Sequence, residues 1–399
     1  MKVDIDRLSR ELATLATFSD APEPAVTRVV YSETWQQARA WVVGLCADSG
    51  LVWREDGVGS IFARWVGTEP ELPAIAMGSH IDAIPNAGAY DGTVGVLGGL
   101  EAIRTLQRSG VQPRRSIELI MFCAEEPTLF GIGCFSSRMM AGLLDGSELR
   151  DREGRTLYDH IGMHPPVRLP EGCYEAFVEL HIEQGPLLER AGIPLGIVTA
   201  IAAPATWHIL VEGEGGHAGA VLMPDRRDAF CAAAEVALAV ERAATSSGAI
   251  DTVGTTGVCD IFPGAVNSVP SRVRIEMDVR DIDGDRRDRV LAEIEAACAG
   301  IGGSRGVRIT KRVINADPPA ACDARVIAAL ETAAGRLKYR KMVSRAYHDS
   351  LFMARVAPTG MLFIPCRNGV SHRPDEYASP EAIAAGVETL AGALALLAR

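Results

Sequence analysis

The sequence predicts an α/β fold: a mixed, mostly parallel sheet flanked by helices, interrupted by an inserted ferredoxin-like α+β domain. Three observations carry this reading. Residues 72–126 hold an apolar run, a helical repeat and a second apolar run, the βαβ pattern of parallel neighbours joined by a right-handed crossover. Two further apolar runs, 176–180 and 361–366, complete a set of four, each followed by a His or Glu. Between about 201 and 316 the order changes to β-α-β-β-α-β, that of a split βαβ unit.

A chain of 399 residues exceeds one ordinary core. Residues 1–200 and 317–399 are therefore read as one domain and 201–316 as a second, inserted one. Hydrophobic content of 48% and charged content of 23% are those of a soluble globular enzyme. A net charge of −11 argues against nucleic acid or an anionic membrane as partner. Asp4, Asp6 and Glu11 interrupt the first apolar positions, so no signal-peptide core forms there. No uninterrupted apolar run approaches the ~18 residues that a membrane helix needs. Nine cysteines without a Cys-x-x-Cys pair suit reduced thiols in the cytoplasm, and those in apolar segments, such as Cys123 and Cys231, read as core.

In order, residues 1–66 read as a helix, a loop, a helix near 35–49 and a strand ending near Trp65. The run 72–77, bounded by Pro73 and Gly78, reads as a buried strand leading into Gly78-Ser79-His80-Ile81-Asp82. Val94, Leu97, Ile103 and Leu106 then recur at helical spacing, with Asp91 or Thr93 as N-cap. The next strand, 116–123, enters Ala124-Glu125-Glu126. The run 176–180 leads to His181-Ile182-Glu183-Gln184-Gly185-Pro186, and 361–366 precedes Ser371-His372-Arg373-Pro374. In the inserted segment 207–211, 252–261, 272–279 and 307–313 read as strands, and 228–244 and 286–299 as helices.

His80, Asp91, Glu126, His181 and His372 thus converge on strand ends, where open α/β sheets bind ligands. Three imidazoles and two carboxylates suit zinc, manganese, cobalt or nickel, and one bridging carboxylate would give a two-metal site. Asp82 could accept the second N–H of His80 and fix its tautomer. Glu125 and Glu126 are adjacent and point to opposite sides of an extended segment, so one could bind metal while the other serves as general base. His217, in a Gly-rich loop, could meet an oxyanion. Asn267 lies in another such loop. Arg280 fits carboxylate recognition, although an ion pair with Asp278 or Asp281 explains it more cheaply. His160, His164 and His208 have no such context and are assigned no function.

With these residues in place, the sequence resembles the dinuclear-metal amidohydrolases that include N-carbamoyl-L-amino acid, allantoate and ureidoglycolate amidohydrolases. The likeness runs from Thr27-Arg28-Val29-Val30-Tyr31-Ser32 to the C-terminal helix and rests on Gly78-Ser79-His80-Ile81-Asp82, Tyr90-Asp91-Gly92, Glu125-Glu126, the His181 motif and His217-Ala218-Gly219. It implies a metallo-aminopeptidase-like catalytic domain with a lid, and two divalent ions, manganese favoured over zinc, cobalt or nickel. His80, Asp91 and His181 would hold one ion; Asp91, Glu126 and His372 would hold the other. Glu125 would be the base. Gln184, Asn267, Arg280, Tyr347 and His348 would bind a small ureido acid, and His217 would reach the partner's site in a homodimer paired through the lid.

Glu125-Glu126-Pro127-Thr128, Met223-Pro224-Asp225-Arg226, the stretch from Tyr347 to Arg355 and Phe363-Ile364-Pro365-Cys366 resemble the ureidoglycolate-cleaving branch most. Leu129 and the pair Phe135-Ser136 depart from the family pattern. The expected reaction is hydrolysis of a ureido C–N bond, with carbamoyl amino acids or allantoate as alternative substrates. An inactive ligand-binding homologue is the alternative from another class.

Overall fold

The computed structural model describes residues 1–162 and 167–399. The chain forms two compact units, one of residues 1–199, 321–344 and 348–399, the other of 200–320 and 345–347.

In the first unit a nine-stranded sheet runs Leu195–Ile201, Thr359–Ile364, Tyr174–Ile182, Ala74–His80, Ile117–Phe122, Ile61–Trp65, Val52–Glu55, with Ala320–Ala321 and Tyr339–Ser344 paired to Leu195–Ile201. The four contiguous central strands, Thr359–Ile364 to Ile117–Phe122, pair in parallel. Leu195–Ile201 joins Thr359–Ile364 antiparallel on one side, and Ile61–Trp65 and Val52–Glu55 continue antiparallel on the other. The sheet is thus mixed, as the sequence reading expected, with its parallel strands at the centre. Residues 56–60 alone separate the two outer strands, which is too short for a parallel crossover.

The central strands are buried on both faces, as parallel strands require. Ile75 and Met77 enter a core shared with Leu97, Leu100, Leu330, Val387 and Leu390, while Ala74 and Ala76 face Phe122, Phe177 and Met353. The helices are locally encoded. Asp4 accepts the Arg7 amide at 3.1 Å to start Ile5–Thr17, whose Leu8, Leu12 and Leu15 share one buried stripe. Ser32 and Ser379 cap Glu33–Asp48 and Pro380–Leu397 in the same way. The last helix is apolar and long enough to pass for a membrane span by composition. It packs against Thr93–Arg108 and Ala324–Ala334 as a core helix.

One expected cap is absent. The helix Thr93–Arg108 begins after Gly92 with no side-chain cap. Thr93 Oγ1 donates to the Ala89 carbonyl at 2.6 Å, and the Asp91 carboxylate is turned toward three histidines.

The second unit is a four-stranded antiparallel sheet ordered Val253–Phe262, Arg272–Asp281, Ala203–Glu212, Arg308–Ala316. Counted along the chain this order is 2-3-1-4, that of the split βαβ unit. Trp207, Ile209 and Val211 alternate inward with Val273, Ile275 and Met277 against Val236 and Val240 of the helix Ala229–Ser246 and Val290 and Ile294 of Gly284–Arg305. That second helix outruns the expected 286–299. Asp283 caps it, and it continues through Gly300, Gly302 and Gly303 to Gly306, because Ile301 packs on this core. Cys231, expected in the core, is exposed on its helix, whose inward positions are Ala229, Ala232 and Ala233.

Candidate metal centre

The four parallel strands point the same way, so their carboxyl ends gather in one place. His80 is the last residue of its strand, level with Phe122, and His181 is level with Phe363. Both imidazoles are buried. His80 Nδ1 lies 3.1 Å from the Asp82 carbonyl and 3.2 Å from its Oδ1. His181 Nδ1 faces the Ile182 carbonyl at 3.0 Å. Each ring thereby turns Nε2 toward Asp91 Oδ1, at 3.4 and 3.3 Å.

Asp91 divides its oxygens between two groups. Oδ1 serves His80 and His181. Oδ2 lies 3.6 Å from His372 Nε2, which is 3.2 Å from Glu126 Oε1. His80, Asp91 and His181 form one set of converging ligand atoms, and Asp91, Glu126 and His372 a second. A third set, Glu179, His181 and His348, shares only His181 with these. In it the Glu179 oxygens are taken by Ser79 Oγ at 2.8 Å and by the Ser350 amide and hydroxyl at 3.1 and 2.6 Å.

The first two sets fit divalent ions. His80 Nε2 is buried with no hydrogen-bond partner, aimed at a carboxylate oxygen that His181 also approaches. Such convergence calls for positive charge between the groups. The side chains show the same demand. Burial would raise the Asp91 carboxyl, but His181 and His80 outweigh it and hold it well below the usual carboxylate range. The Glu126 hydrogen bond lifts His372 to about 9 against its partial burial.

Glu125 belongs to neither set. Its amide donates to Asp82 Oδ1 at 3.1 Å, the Glu126 amide donates to Asp82 Oδ2 at 3.0 Å, and Cys134 Sγ donates to Glu125 Oε1 at 3.5 Å. Burial first, then the neighbouring Glu126, push the Glu125 carboxyl well up. That makes it a stronger proton acceptor than an exposed glutamate.

The other candidates divide between the units. Gln184, with φ 55°, donates to Asp91 Oδ2 at 2.6 Å. His348 is buried with its ring 4.5 Å from that of His181 and its Nε2 3.1 Å from Ser344 Oγ. His217, Asn267, Arg280 and Tyr347 lie in the second unit. There Gly216–His217 pairs with Ser268–Val269, and the Ala218 amide donates to the Asn267 carbonyl at 2.9 Å. Arg280 Nε donates to Asp278 Oδ1 at 2.7 Å, and its guanidinium stands 5.4 Å from the Tyr347 ring centre. Asp281 is engaged instead by Arg286 and Thr252. His160 pairs with Asp151 and His208 approaches Glu276; His164 lies outside the described residues.

Sequence reasoning missed Ser371 and Glu376. Ser371 Oγ lies 2.5 Å from Asp91 Oδ2 and 2.9 Å from Glu376 Oε2. Their only signal was proximity to His372.

The family model for Peptidase family M20/M25/M40 matches residues 76–396. A ureidoglycolate hydrolase of Oryza sativa subsp. japonica is 54% identical over 99% of this chain and 85% of its own length. An N-carbamoyl-L-amino acid amidohydrolase of Geobacillus stearothermophilus is 37% identical over 96% of each chain. The crystal structure of AtUAH in complex with (S)-hydroxyglycine has a TM-score of 0.92 at 50% identity, covering 100% of this chain and 98% of that one. With a match of this extent and amidohydrolase relatives along its whole length, the chain belongs to peptidase family M20/M25/M40, as one of its amidohydrolases.

Proposed function

We propose that the chain hydrolyses the ureido C–N bond of (S)-ureidoglycolate with two divalent ions, yielding ammonia, carbon dioxide and hydroxyglycine, which breaks down to glyoxylate. The observation that carries the reading is Asp91, whose two oxygens face two separate ligand sets while Glu125 stands beside them and in neither. The ureidoglycolate hydrolase relative and the AtUAH complexes with glyoxylate and (S)-hydroxyglycine support the choice of substrate.

His80, Asp91 and His181 would hold one ion, and Asp91, Glu126 and His372 the other. Divalent ions bound there supply Lewis acidity and lower the pKa of water at the site. The carboxylate share of the second set favours manganese, with zinc, cobalt and nickel able to substitute. Glu125, made basic by desolvation, takes the proton of the attacking water and returns it to the leaving nitrogen. Gln184 and His348 would contact the substrate from the first unit.

The family resemblance supports a role for the second unit as a lid and dimerisation domain. Arg280 and Asn267 would bind the substrate carboxylate with Tyr347 beside them, and His217 would meet the oxyanion in the partner's site. The edge strand Val253–Phe262 exposes Val253, Ile261 and Phe262, apolar side chains that suit pairing with a second copy. All nine cysteines are free, in keeping with a cytoplasmic location.

The test is release of glyoxylate and ammonia from (S)-ureidoglycolate by manganese-loaded protein, beside allantoate and N-carbamoyl-L-alanine. Glyoxylate formation from ureidoglycolate, with the other two inert, is expected. Turnover of either alternative with ureidoglycolate untouched would keep the chemistry and overturn the substrate.

A further inference from the structure

Asp91 and His372 come from distant parts of the chain, and at 3.6 Å the carboxylate and imidazole make no hydrogen bond that would fix their spacing. Glu376 joins the two loops. Its Oε1 accepts the amides of Tyr90 at 2.8 Å and Asp91 at 3.0 Å. Its Oε2 takes Ser371 Oγ at 2.9 Å and the His372 amide at 3.3 Å. One buried carboxylate thus holds the backbone of both ligands, one oxygen to each loop.

The Asp91 loop is built to receive it. A Cβ on Gly88 would fall 2.3 Å from Glu376 Cβ and 2.5 Å from its Cδ, so a side chain at 88 would displace the carboxylate. Ser371 Oγ extends the link, standing between Glu376 Oε2 and Asp91 Oδ2. In the first ligand set the sheet itself sets the spacing of His80 and His181, whose strands are paired to each other.

We propose that Glu376 is a positioning residue that fixes the distance between Asp91 and His372, and so governs occupancy of the ion site formed by Asp91, Glu126 and His372. This rests on the two-ion reading above. It requires reach from the side chain rather than charge. Shortening it by one methylene withdraws it from one loop, whereas an amide of the same length still accepts the Tyr90 and Asp91 amides through its oxygen and donates to Ser371 Oγ through its nitrogen, giving up only the long 3.3 Å bond from the His372 amide.

Glu376→Asp and Glu376→Gln therefore separate the ideas. Manganese stoichiometry and stepwise affinity would be measured by equilibrium dialysis on full-length wild type and both variants, with thermal melts of the metal-free proteins alongside. Wild type is expected to bind two ions per chain. Glu376→Asp should keep the tighter ion and bind the other at least about 10-fold more weakly, the scale on which a residue behind a metal ligand acts, while Glu376→Gln stays within about 3-fold of wild type. The reverse order, or unchanged binding of both ions in Glu376→Asp, would overturn the proposal. Equal weakening of both ions in both variants, tracking a fall in melting temperature, would reduce Glu376 to general stability and overturn it too. Fewer than two ions on wild type would instead sink the two-ion reading itself.

Discussion

Gly92 is packed so closely against His80 that a Cβ on it would fall 2.4 Å from the imidazole Nε2. Its φ of 65° also belongs to the left-handed region. The residue after Asp91 must therefore lack a side chain for His80 to keep its place. Gly92→Ala should displace the ring and lower affinity at the His80 set by about 100-fold, the upper range for disturbing a ligand's support. The backbone strain itself costs only about 1–2 kcal/mol, so the protein should still fold. Metal content together with a thermal melt checks this; a folded variant with normal metal content would contradict the packing.

Asp82 organises the opposite side of the centre, with one oxygen on the Glu125 amide, the other on the Glu126 amide and His80 Nδ1 beside it. Asp82→Asn replaces one acceptor by a donor facing an N–H. Turnover should fall about 10- to 100-fold. His80 and Glu126 serve different sets, so both ion affinities should weaken, whereas Glu376 sets the distance to His372, which serves one set alone. Competition dialysis resolves the two patterns.

The central strands, and the convergence of His80, Asp91, Glu126, His181 and His372 beyond them, were legible because the strand cores are buried apolar runs and the loops that follow them carry these side chains. The fine structure was not. Asp91 reads as a helix cap by residue type, yet its carboxylate is drawn to the histidines and leaves Gly92 at the cap position. Gly300, Gly302 and Gly303 read as a helix end, yet packing of Ile301 carries the helix on to Arg305. Glu376 was invisible for a physical reason: its partners are mostly backbone amides, which every residue has, on a loop far away in sequence. Roles for His217, Asn267 and Arg280 come only from the family likeness, since Arg280 by itself reads as the partner of Asp278 that it is.

Glu125 stands beside the centre yet belongs to neither ligand set, so its loss should separate chemistry from binding. Glu125→Gln preserves shape and removes the proton acceptor. Turnover should drop by about 10²- to 10⁴-fold, the range for a general base. Metal stoichiometry and KM should stay near wild type. Activity surviving within a factor of a few would assign the base elsewhere; loss of an ion would make Glu125 a ligand.

In the second unit Asp281 is fully buried and accepts Arg286 Nε at 2.8 Å, Thr252 Oγ1 at 2.5 Å and the Asp283 amide at 2.9 Å. Burial alone would raise its carboxyl, but the hydrogen bonds from Arg286 and Thr252 prevail and hold it below the ordinary value of 3.8. A depressed folded pKa means that the unfolded chain binds the proton more readily. The stabilisation is therefore complete above pH about 4, the unfolded value, and is lost as pH falls through the lower folded one. Asp281→Asn removes the charge at every pH. It should cost about 2 kcal/mol at pH 7, the scale of hydrogen bonds to a charged group. Urea unfolding at pH 7 and pH 3 tests the sign: the gap between wild type and variant should narrow in acid, because wild type then forfeits what the variant never had, whereas an equal gap at both pH values would show that the ionised carboxylate contributes nothing to folding.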